Sequence, residues 1–420
     1  MRALSRAAIL AVGSEMLTPS RTDTNSLLIT EQLNTLGIEV VLKMIVGDDR
    51  AELANGVRVA LDRVDLVVCT GGLGPTDDDL TRDVVADVLG RPLREDESIT
   101  SHIKARFTRR GMQMPEINRR QAMVPEGGLV IENPNGSAPG LWLEHEGRVV
   151  LLLPGPPREL RPMLTRVVES SLAARAAGMA LVRRVIRITG RTESHTEEAV
   201  QSLYAPWASA PVPVAATILA SLGQVELHLS VRAPSRHAAA GALALAVQQV
   251  VERLGPDVYS TDGRALEQVI GEVLAERGLR IAVAESCTGG LITSRLTDVA
   301  GSSRYLDQSV VTYSNEAKTS LLDVPAELIA AHGAVSEPVA RAMAEGMRAR
   351  AGADVAVAVT GIAGPGGGSP EKPVGTVVVS AVMGSAARSR VFRFVGEREM
   401  VKFQASQAAL DMVRRMLVNT

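Results

Sequence analysis

The stretch IAVAESCTGGLITSRL (residues 281–296) decides how the C-terminal third of the chain folds. Its first residues, up to Glu285, are small and apolar, as expected of a buried strand, and a helix is predicted to begin near Gly289. A serine, a cysteine, a threonine and two glycines form the turn between strand and helix. This arrangement is typical of parallel sheets covered by helices, which bind ligands where the strand ends open into loops.

Strand and helix patterns alternate on both sides of this stretch. Towards the C-terminus the predicted elements are helix 266–276, strands 280–285 and 308–313, helices 315–322 and 338–350, strands 354–359 and 376–382, and a last helix near 399–417. Towards the N-terminus they are strands 7–12, 39–46 and 66–70 and helices 24–36, 50–62 and 77–89. Such alternation predicts parallel sheets with helices on both faces.

The middle of the chain has a different pattern, without glycine-rich loops. Its predicted strands are 182–189, 213–219 and 224–232, its predicted helices are 193–205 and 236–254, and GPDVYSTDGR (255–264) is interpreted as a linker. The predicted fold class is therefore α/β, with two parallel or mixed-sheet α/β domains (1–165 and 257–420) joined by a small α+β domain (166–256).

Composition narrows the function classes. Of the 420 residues, 46% are hydrophobic and 22% charged, which is a globular composition with enough apolar chain for more than one core. A net charge of -2 without a basic block, together with only 2% aromatic residues, gives no sign of a nucleic-acid-binding surface. Cys69 and Cys287 lie far apart and outside any metal-ligand spacing, so a reducing, cytoplasmic location without a disulfide framework or zinc site is expected. The short N-terminal apolar run is interpreted as a strand, neither a signal peptide nor a membrane span.

The turn after residue 285 carries the first candidate site. Ser286 is well placed for a nucleophile, and Thr288, Gly289 and Gly290 allow a ligand close approach to the backbone. A helix N-terminus also attracts an anion. The alternative, about equally favoured by this turn alone, is that Ser286 and Thr288 only cap the helix. Cys287 is a rival nucleophile.

The stretch VVTYSNEAKTSLL (310–322) supplies a candidate base. Lys318 falls near the first turn of a predicted helix, where a cation is disfavoured and its pKa is expected to fall. A serine–lysine pair is a known substitute for serine–histidine. Tyr313 lies close by in sequence and is a candidate to orient the substrate or relay a proton. The alternatives are a solvated surface lysine and a half-buried strand tyrosine.

The loop TGIAGPGGGSPEKPVG (360–375) joins two strongly predicted strands. It carries Thr360, Gly361, Ala363 and Gly364, whose successive amide groups are candidates for an oxyanion hole or a phosphate nest. A merely flexible loop fits poorly between two strong strands.

A second glycine-rich turn, VCTGGLGPTDDDLT (68–81), lies in the N-terminal third. Thr76 and Asp79 have the spacing of a capping box, and three aspartates in a first helical turn favour a structural role. Adjacent carboxylates beside a phosphate-type turn are also typical of a divalent-cation site.

The motifs AESCTGG, TYSNEAK, GAVSEPVA and VTGIAGPGGGSPEKPVGTV together resemble the CinA C-terminal, PncC-type amidase domain, over about residues 265–415. The resemblance implies hydrolysis of nicotinamide mononucleotide to nicotinate mononucleotide and ammonia, a step of pyridine-nucleotide salvage, without a cofactor. It also implies Ser286 as the nucleophile and Lys318 as its base, with Tyr313 and Thr360 in the same pocket. Arg398, in GERE, is a candidate to bind the substrate phosphate.

About residues 6–165 resemble the CinA N-terminal domain, which is similar to the MoaB/MogA-type molybdopterin-binding fold. The resemblance implies metal-dependent hydrolysis of ADP-ribose, with a divalent metal such as Mg²⁺ and a monovalent cation as a further candidate. The implied metal ligands are Glu15, Asp77 and Asp78. The implied substrate-binding residues are Gly71, Gly72, Gly74, Thr76 and Asn118.

Two other classes of function stay open at this point. One is a molybdopterin- or nucleotide-binding protein without amidase chemistry, which the N-terminal motifs alone suggest. The other is an interaction protein associated with competence or recombination, as the family name implies. Small-molecule nucleotides are the expected partners, with no membrane and no direct nucleic-acid contact, and the family suggests a homodimer.

Overall fold

A computed structural model describes residues 3–418 of the chain. The chain divides into two compact units. The first comprises the residues up to Val182 together with Val231–Ala242, and the second comprises Arg183–Ser230 and the residues from Leu243 onward. In the part of the chain that the structure describes, no helix combines the length and apolar character needed to cross a bilayer.

The first unit is built on a twisted sheet with helices on both faces. Its strands are β1 (Arg6–Val12), β2 (Glu39–Val46), β3 (Leu66–Thr70), β4 (Leu93–Glu95), β5 (Met123–Pro125), β6 (Leu129–Ile131), β7 (Gly140–His145) and β8 (Arg148–Leu153). Its helices are α1 (Asn25–Thr35), α2 (Arg50–Leu61), α3 (Thr81–Val88), α4 (Glu97–Thr108), α5 (Pro157–Val167) and α6 (Ala173–Arg175). The six-stranded sheet has the order β2-β1-β3-β8-β7-β6, and β4 pairs with β5.

The central strands of this sheet are buried on both faces. Every residue of β3 is buried, because β3 pairs in parallel with β1 on one side and β8 on the other and helices cover both faces. Ala8, Leu10 and Cys69 contribute to one core, and Ile9 and Val68 contribute to the other. The carboxyl ends of β1, β3 and β8 therefore meet at one edge, where the N-terminal glycine-rich turn leaves β3.

The middle of the chain forms a four-stranded sheet of order β10-β11-β9-β12. Its elements are β9 (Ala180–Ile188), α7 (Glu193–Val200), α8 (Tyr204–Ala208), β10 (Val214–Ser221), β11 (Gln224–Ala233), α9 (Arg236–Leu254) and β12 (Val258–Ser260). The linker predicted at 255–264 is wrong in part, because Val258–Ser260 is the strand that pairs antiparallel with β9. Asp257, just before this strand, forms ion pairs with Arg191 and with Arg415 of the last helix.

The C-terminal part is a five-stranded mixed sheet of order β14-β13-β15-β16-β17. Its elements are α10 (Leu266–Arg277), β13 (Ile281–Glu285), α11 (Leu291–Thr297), β14 (Leu306–Val311), α12 (Asn315–Leu322), α13 (Ala326–His332), α14 (Glu337–Ala351), β15 (Val355–Gly361), β16 (Thr376–Met383), β17 (Ala386–Arg393) and α15 (Arg398–Val418). Strands β14, β13 and β15 are parallel, and β16 and β17 are antiparallel. One apolar core lies under α10, α11 and α15, and another lies under α14.

The predicted fold class is confirmed, since both glycine-rich turns follow buried parallel strands of mixed α/β sheets. Two helix starts were predicted wrongly. The helix predicted over 77–89 begins at Thr81, so the three aspartates lie in a loop before it. The helix predicted to begin near Gly289 begins at Leu291, with Gly290 in the left-handed region at φ 96° before it.

Candidate active site

Two parallel strands and one helix place the side chains of the C-terminal site. Ser286 directly follows β13, which is fully buried between β14 and β15. Lys318 is the fourth residue of α12, whose start is fixed by Ser314, because the Ser314 hydroxyl accepts a hydrogen bond from the Ala317 amide at 3.1 Å. Neighbouring carboxyl ends of a parallel sheet thereby bring residues 32 positions apart to one place.

The structure brings Ser286 and Lys318 together. The Lys318 Nζ lies 3.3 Å from the Ser286 Oγ, 2.9 Å from the Thr312 carbonyl oxygen and 3.4 Å from that of Ser314. Lys318 is only 1% exposed and Ser286 7%. Burial lowers the pKa of Lys318, and the nearby Cys287 and Glu316 oppose this shift. Burial, rather than the helix dipole invoked from the sequence, is the main physical cause, because a buried amine loses the hydration that favours its charged form.

Glu285 occupies the start of α11. Its carboxylate accepts hydrogen bonds from the amides of Gly290 at 3.0 Å, Ile292 at 3.1 Å and Thr293 at 3.0 Å, and from the Thr293 hydroxyl at 2.7 Å. Glu285 is fully buried. The expectation that this helix start offers free amide groups to an anion is therefore wrong, because an internal carboxylate already occupies them.

Cys287, the rival nucleophile, lies in an apolar environment. It is buried, and its burial raises the pKa of the thiol to about 12. A Cβ atom on Gly361 would lie only 3.0 Å from the Cys287 Sγ, so the thiol packs tightly against the end of β15. A thiol with a raised pKa stays protonated near neutral pH and is a poor nucleophile.

Tyr313 and Arg398 meet at the rim of this site. The Arg398 guanidinium donates one hydrogen bond to the Tyr313 hydroxyl at 3.0 Å and another to the Gly364 carbonyl at 2.8 Å. Tyr313 lies beyond the end of β14 and is 62% exposed, so neither the predicted strand end nor a half-buried strand tyrosine is correct. The sequence interpretation missed Lys402, whose Nζ lies 3.8 Å from the position that a Cβ of Gly289 would take. Its spacing of four residues from Arg398 on α15 was the available signal.

The remaining predicted residues of this site are buried around it. The Thr360 hydroxyl donates to the Ala334 carbonyl at 2.9 Å, which ties the end of β15 to the segment before α14. Ala363 is buried beside the same loop. Thr288 is fully buried, and among the described residues its hydroxyl has no hydrogen-bond partner.

In the N-terminal part, the predicted glycines line a cavity of about 680 Å³ at the carboxyl ends of the parallel strands. Gly71 and Gly72 have φ values of 101° and 64°, and a Cβ on Gly71 would lie 2.2 Å from the Val12 carbonyl oxygen. Gly74, Glu15 and Asp78 also line the cavity. This turn needs glycine because both the left-handed backbone and the close neighbour exclude a side chain.

Three other predicted residues are directed elsewhere. The Asp77 side chain is fully exposed and forms an ion pair with Arg120 at 2.8 Å. Thr76 bonds to the Asp79 carboxylate through both its amide and its hydroxyl. The Asn118 amide group donates to Gln121 at 3.1 Å, and Gln121 rather than Asn118 lines the cavity.

Most carboxylates around this cavity have internal hydrogen-bond donors. Asp48 accepts from the Ser14 amide at 2.8 Å, and Glu159 accepts from Asn133 at 2.8 Å. A hydrogen bond from the Thr76 side chain lowers the pKa of Asp78. Among residues 3–418, no three histidine, cysteine, aspartate or glutamate side chains gather in a way that could hold a metal ion. Of the expected ligand set, Glu15 and Asp78 line the cavity and Asp77 does not, so the three carboxylates do not converge.

These two sites on two α/β sheets define the class: a protein with a serine–lysine pair at its C-terminal sheet and a glycine-lined cavity at its N-terminal sheet. Three family models match the chain. They are the probable molybdopterin binding domain over residues 8–174, the damage-inducible protein CinA KH domain over residues 183–260, and the CinA C-terminal domain over residues 263–417.

Relatives match over almost the whole chain. A putative competence-damage inducible protein of Symbiobacterium thermophilum is 45% identical over 98% of this chain and 99% of its own. A CinA-like protein of Koribacter versatilis is 45% identical over 98% of this chain and 100% of its own. The solved structure of competence/damage inducible protein CihA from Agrobacterium tumefaciens is 42% identical and covers 36% of this chain and 93% of its own, with a TM-score of 0.36. The chain belongs to the CinA family.

Proposed function

We propose that the C-terminal site hydrolyses the carboxamide of nicotinamide mononucleotide, giving nicotinate mononucleotide and ammonia. The observation that carries the proposal is the contact of 3.3 Å between the Ser286 Oγ and the Nζ of a buried lysine whose pKa is lowered. A buried lysine with a lowered pKa next to a serine hydroxyl is the pairing that acyl transfer needs when histidine is absent.

The proposed chemistry has two halves. Neutral Lys318 takes the proton of the Ser286 hydroxyl as its oxygen attacks the carboxamide carbon. The C–N bond then breaks, Lys318 gives the proton to the leaving nitrogen, and ammonia departs. In the second half Lys318 takes a proton from water, the hydroxide attacks the Ser286 ester, and the proton returns to the serine oxygen as the acid is released.

Backbone amide groups of the turn are the proposed oxyanion donors. The Gly289 amide donates to the Ser286 carbonyl at 3.1 Å, and the Gly290 amide donates to Glu285 at 3.0 Å. We therefore assign this role to the amides of Cys287 and Thr288. Amides held rigidly by a buried turn would stabilise the developing charge without reorganisation.

The experiment is ammonia release from nicotinamide mononucleotide by the intact chain, with the nucleotide product identified by chromatography. Ser286→Ala is expected to lower the rate by about 10³-fold or more. Cys287→Ala is the matched control, one residue away, and is expected to stay within about threefold because the thiol is protonated. A folded wild-type chain that releases no ammonia would refute the proposal. Loss of ammonia release in Cys287→Ala together with normal release in Ser286→Ala would refute the assignment of Ser286 as the nucleophile.

A second activity is proposed for the N-terminal cavity: hydrolysis of ADP-ribose. Its support is a cavity of about 680 Å³ beside a glycine turn at the strand ends, a size and place suited to a nucleotide. Release of AMP from ADP-ribose, measured with and without Mg²⁺, tests it. Binding without turnover would instead leave a nucleotide- or molybdopterin-binding role for this cavity.

A further inference from the structure

The C-terminal site needs a place for an anionic group if its substrate is a mononucleotide. The start of α11 is not that place, because the Glu285 carboxylate accepts from the Gly290, Ile292 and Thr293 amides and is itself fully buried. A phosphate there would meet a buried negative charge and occupied donors. The phosphate must therefore be recognised by another part of the site.

Two cations on α15 each lie next to a glycine-rich segment of the C-terminal site. Arg398 bonds to the Gly364 carbonyl at 2.8 Å, which places its guanidinium against the loop after β15. Lys402 has its Nζ 3.8 Å from the Cβ position of Gly289, in the turn after Ser286. The two residues are four apart on one helix and therefore share a face.

Both cations carry a positive charge that an anionic ligand could neutralise. In the described part of the chain, residues 3–418, neither Arg398 nor Lys402 forms an ion pair with a carboxylate. Lys402 is half-buried against the turn, and within 4 Å of the Cβ position of Gly289 its Nζ is the single neighbour. Gly289 lies in the left-handed region at φ 62° and carries no side chain of its own towards the ammonium. The Lys402 ammonium and the Arg398 guanidinium, next to glycine backbone without side chains, are suited to binding a phosphate monoester.

We propose that Lys402 is a phosphate-binding residue that acts together with Arg398 and selects substrates bearing a phosphate monoester. The inference deepens the proposed amidase function and rests on it for the identity of the substrate. Lys402 recognises the end of the substrate remote from the carboxamide, so it contributes to binding rather than to the bond-breaking step.

The test compares nicotinamide mononucleotide with nicotinamide riboside, which lacks the phosphate, as substrates of the intact chain. Lys402→Ala is expected to raise KM for the mononucleotide about tenfold or more with kcat within about threefold, and to leave kcat/KM for the riboside within about twofold. Lys402→Arg is expected to restore most of the loss, because the charge is kept. Lys43→Ala, at an exposed lysine of β2, is the control for loss of one positive charge.

A binding measurement separates this inference from the proposed function. Calorimetric titration with nicotinate mononucleotide is expected to give about tenfold weaker binding for Lys402→Ala than for wild type, whether or not ammonia is released. Absence of ammonia release by wild type would refute the amidase function alone. Equal mononucleotide affinity in wild type and Lys402→Ala, or equal losses with mononucleotide and riboside, would overturn the assignment of Lys402.

Discussion

The two glycine-rich turns of this protein start alike and end differently. Each follows a fully buried central strand, β3 in the N-terminal sheet and β13 in the C-terminal sheet. After β13, the Ser286 hydroxyl and the buried Lys318 amine converge from two elements to 3.3 Å. After β3, the nearby Asp79 is bonded to Thr76, and Asp77 turns outward to Arg120. A turn at a strand end therefore provides a location, while a reactive pair also requires that side chains from two elements converge there.

In this comparison of the two turns, the largest effect is expected from replacing Lys318, the proposed base. Lys318→Met removes the amine that contacts Ser286 and is expected to lower amide hydrolysis by about 10³-fold. Lys318→Arg is expected to be equally inactive, because a guanidinium stays protonated in proteins. Steady-state ammonia release measures both variants, and circular dichroism checks their folding. An active arginine variant would mean that charge, rather than proton transfer, is what the site needs.

The pH dependence follows from the direction of the Lys318 pKa shift. Burial lowers this pKa, so kcat/KM is expected to rise with pH as the amine loses its proton and to level off below the value near 10.4 of free lysine. At pH values between the lowered pKa of Lys318 in the folded chain and its higher pKa in the unfolded chain, the unfolded chain binds more protons. The free energy of unfolding is therefore also expected to rise with pH over this range. Urea unfolding across pH measures the second effect. If the Lys318→Met chain showed the same rise in the free energy of unfolding with pH as wild type, the rise would not come from this lysine.

A smaller effect is expected from Glu285→Gln. The carboxylate accepts four hydrogen bonds at the start of α11, and an amide nitrogen would face donors in place of one oxygen. We expect a loss of about 1–3 kcal/mol in the free energy of unfolding, with a moderate fall in activity because Ser286 is the next residue. Urea unfolding measures it, and Glu316→Gln, at an exposed position of α12, is the matched control. An unchanged unfolding midpoint would show that the carboxylate does not hold this turn.

The smallest expected effect belongs to Asp77→Asn. Its side chain is fully exposed and its partner is Arg120 at the surface. Exposed ion pairs contribute little, so neither the melting temperature nor either proposed activity is expected to change measurably. Thermal unfolding and both turnover assays check this. If the Asp77→Asn chain lost ADP-ribose hydrolysis but kept amide hydrolysis and stability, Asp77 would again be a candidate ligand. The difference drawn between the two turns would then be wrong.

More of the fold than of the two sites could be predicted from the sequence. The periodicity of β2, β3 and α12 gives the bounds that the structure has, because these elements have strong apolar patterns and clear ends. The start of α3 was misplaced, because the Thr76–Asp79 pair that resembles a capping box closes a separate turn. Local spacing could not distinguish the two, because the bond from the Thr76 amide to the Asp79 carboxylate is common to both; in this turn the Thr76 hydroxyl donates to that carboxylate instead of accepting from a backbone amide.

Long-range contacts explain what else the sequence could not provide. Ser286 and Lys318 were found because each stands in a short motif, and their pairing was expected because a serine–lysine pair can replace serine–histidine and because the motifs resemble the CinA C-terminal domain. Lys402 and the role of Glu285 were missed, because the first depends on how α15 packs and the second on where a buried side chain turns. The expected metal ligands Glu15, Asp77 and Asp78 do not converge, because Asp77 turns outward to Arg120 although it is adjacent to Asp78 in sequence.

The central claim is that amide hydrolysis belongs to the C-terminal turn and not to the N-terminal one. Side-by-side ammonia release from nicotinamide mononucleotide by the intact chain carrying either Ser286→Ala or Asp78→Asn tests it most directly. We predict loss of about 10³-fold in the first and an unchanged rate in the second. An active Ser286→Ala chain, or loss in the Asp78→Asn chain with its fold intact, would contradict the account.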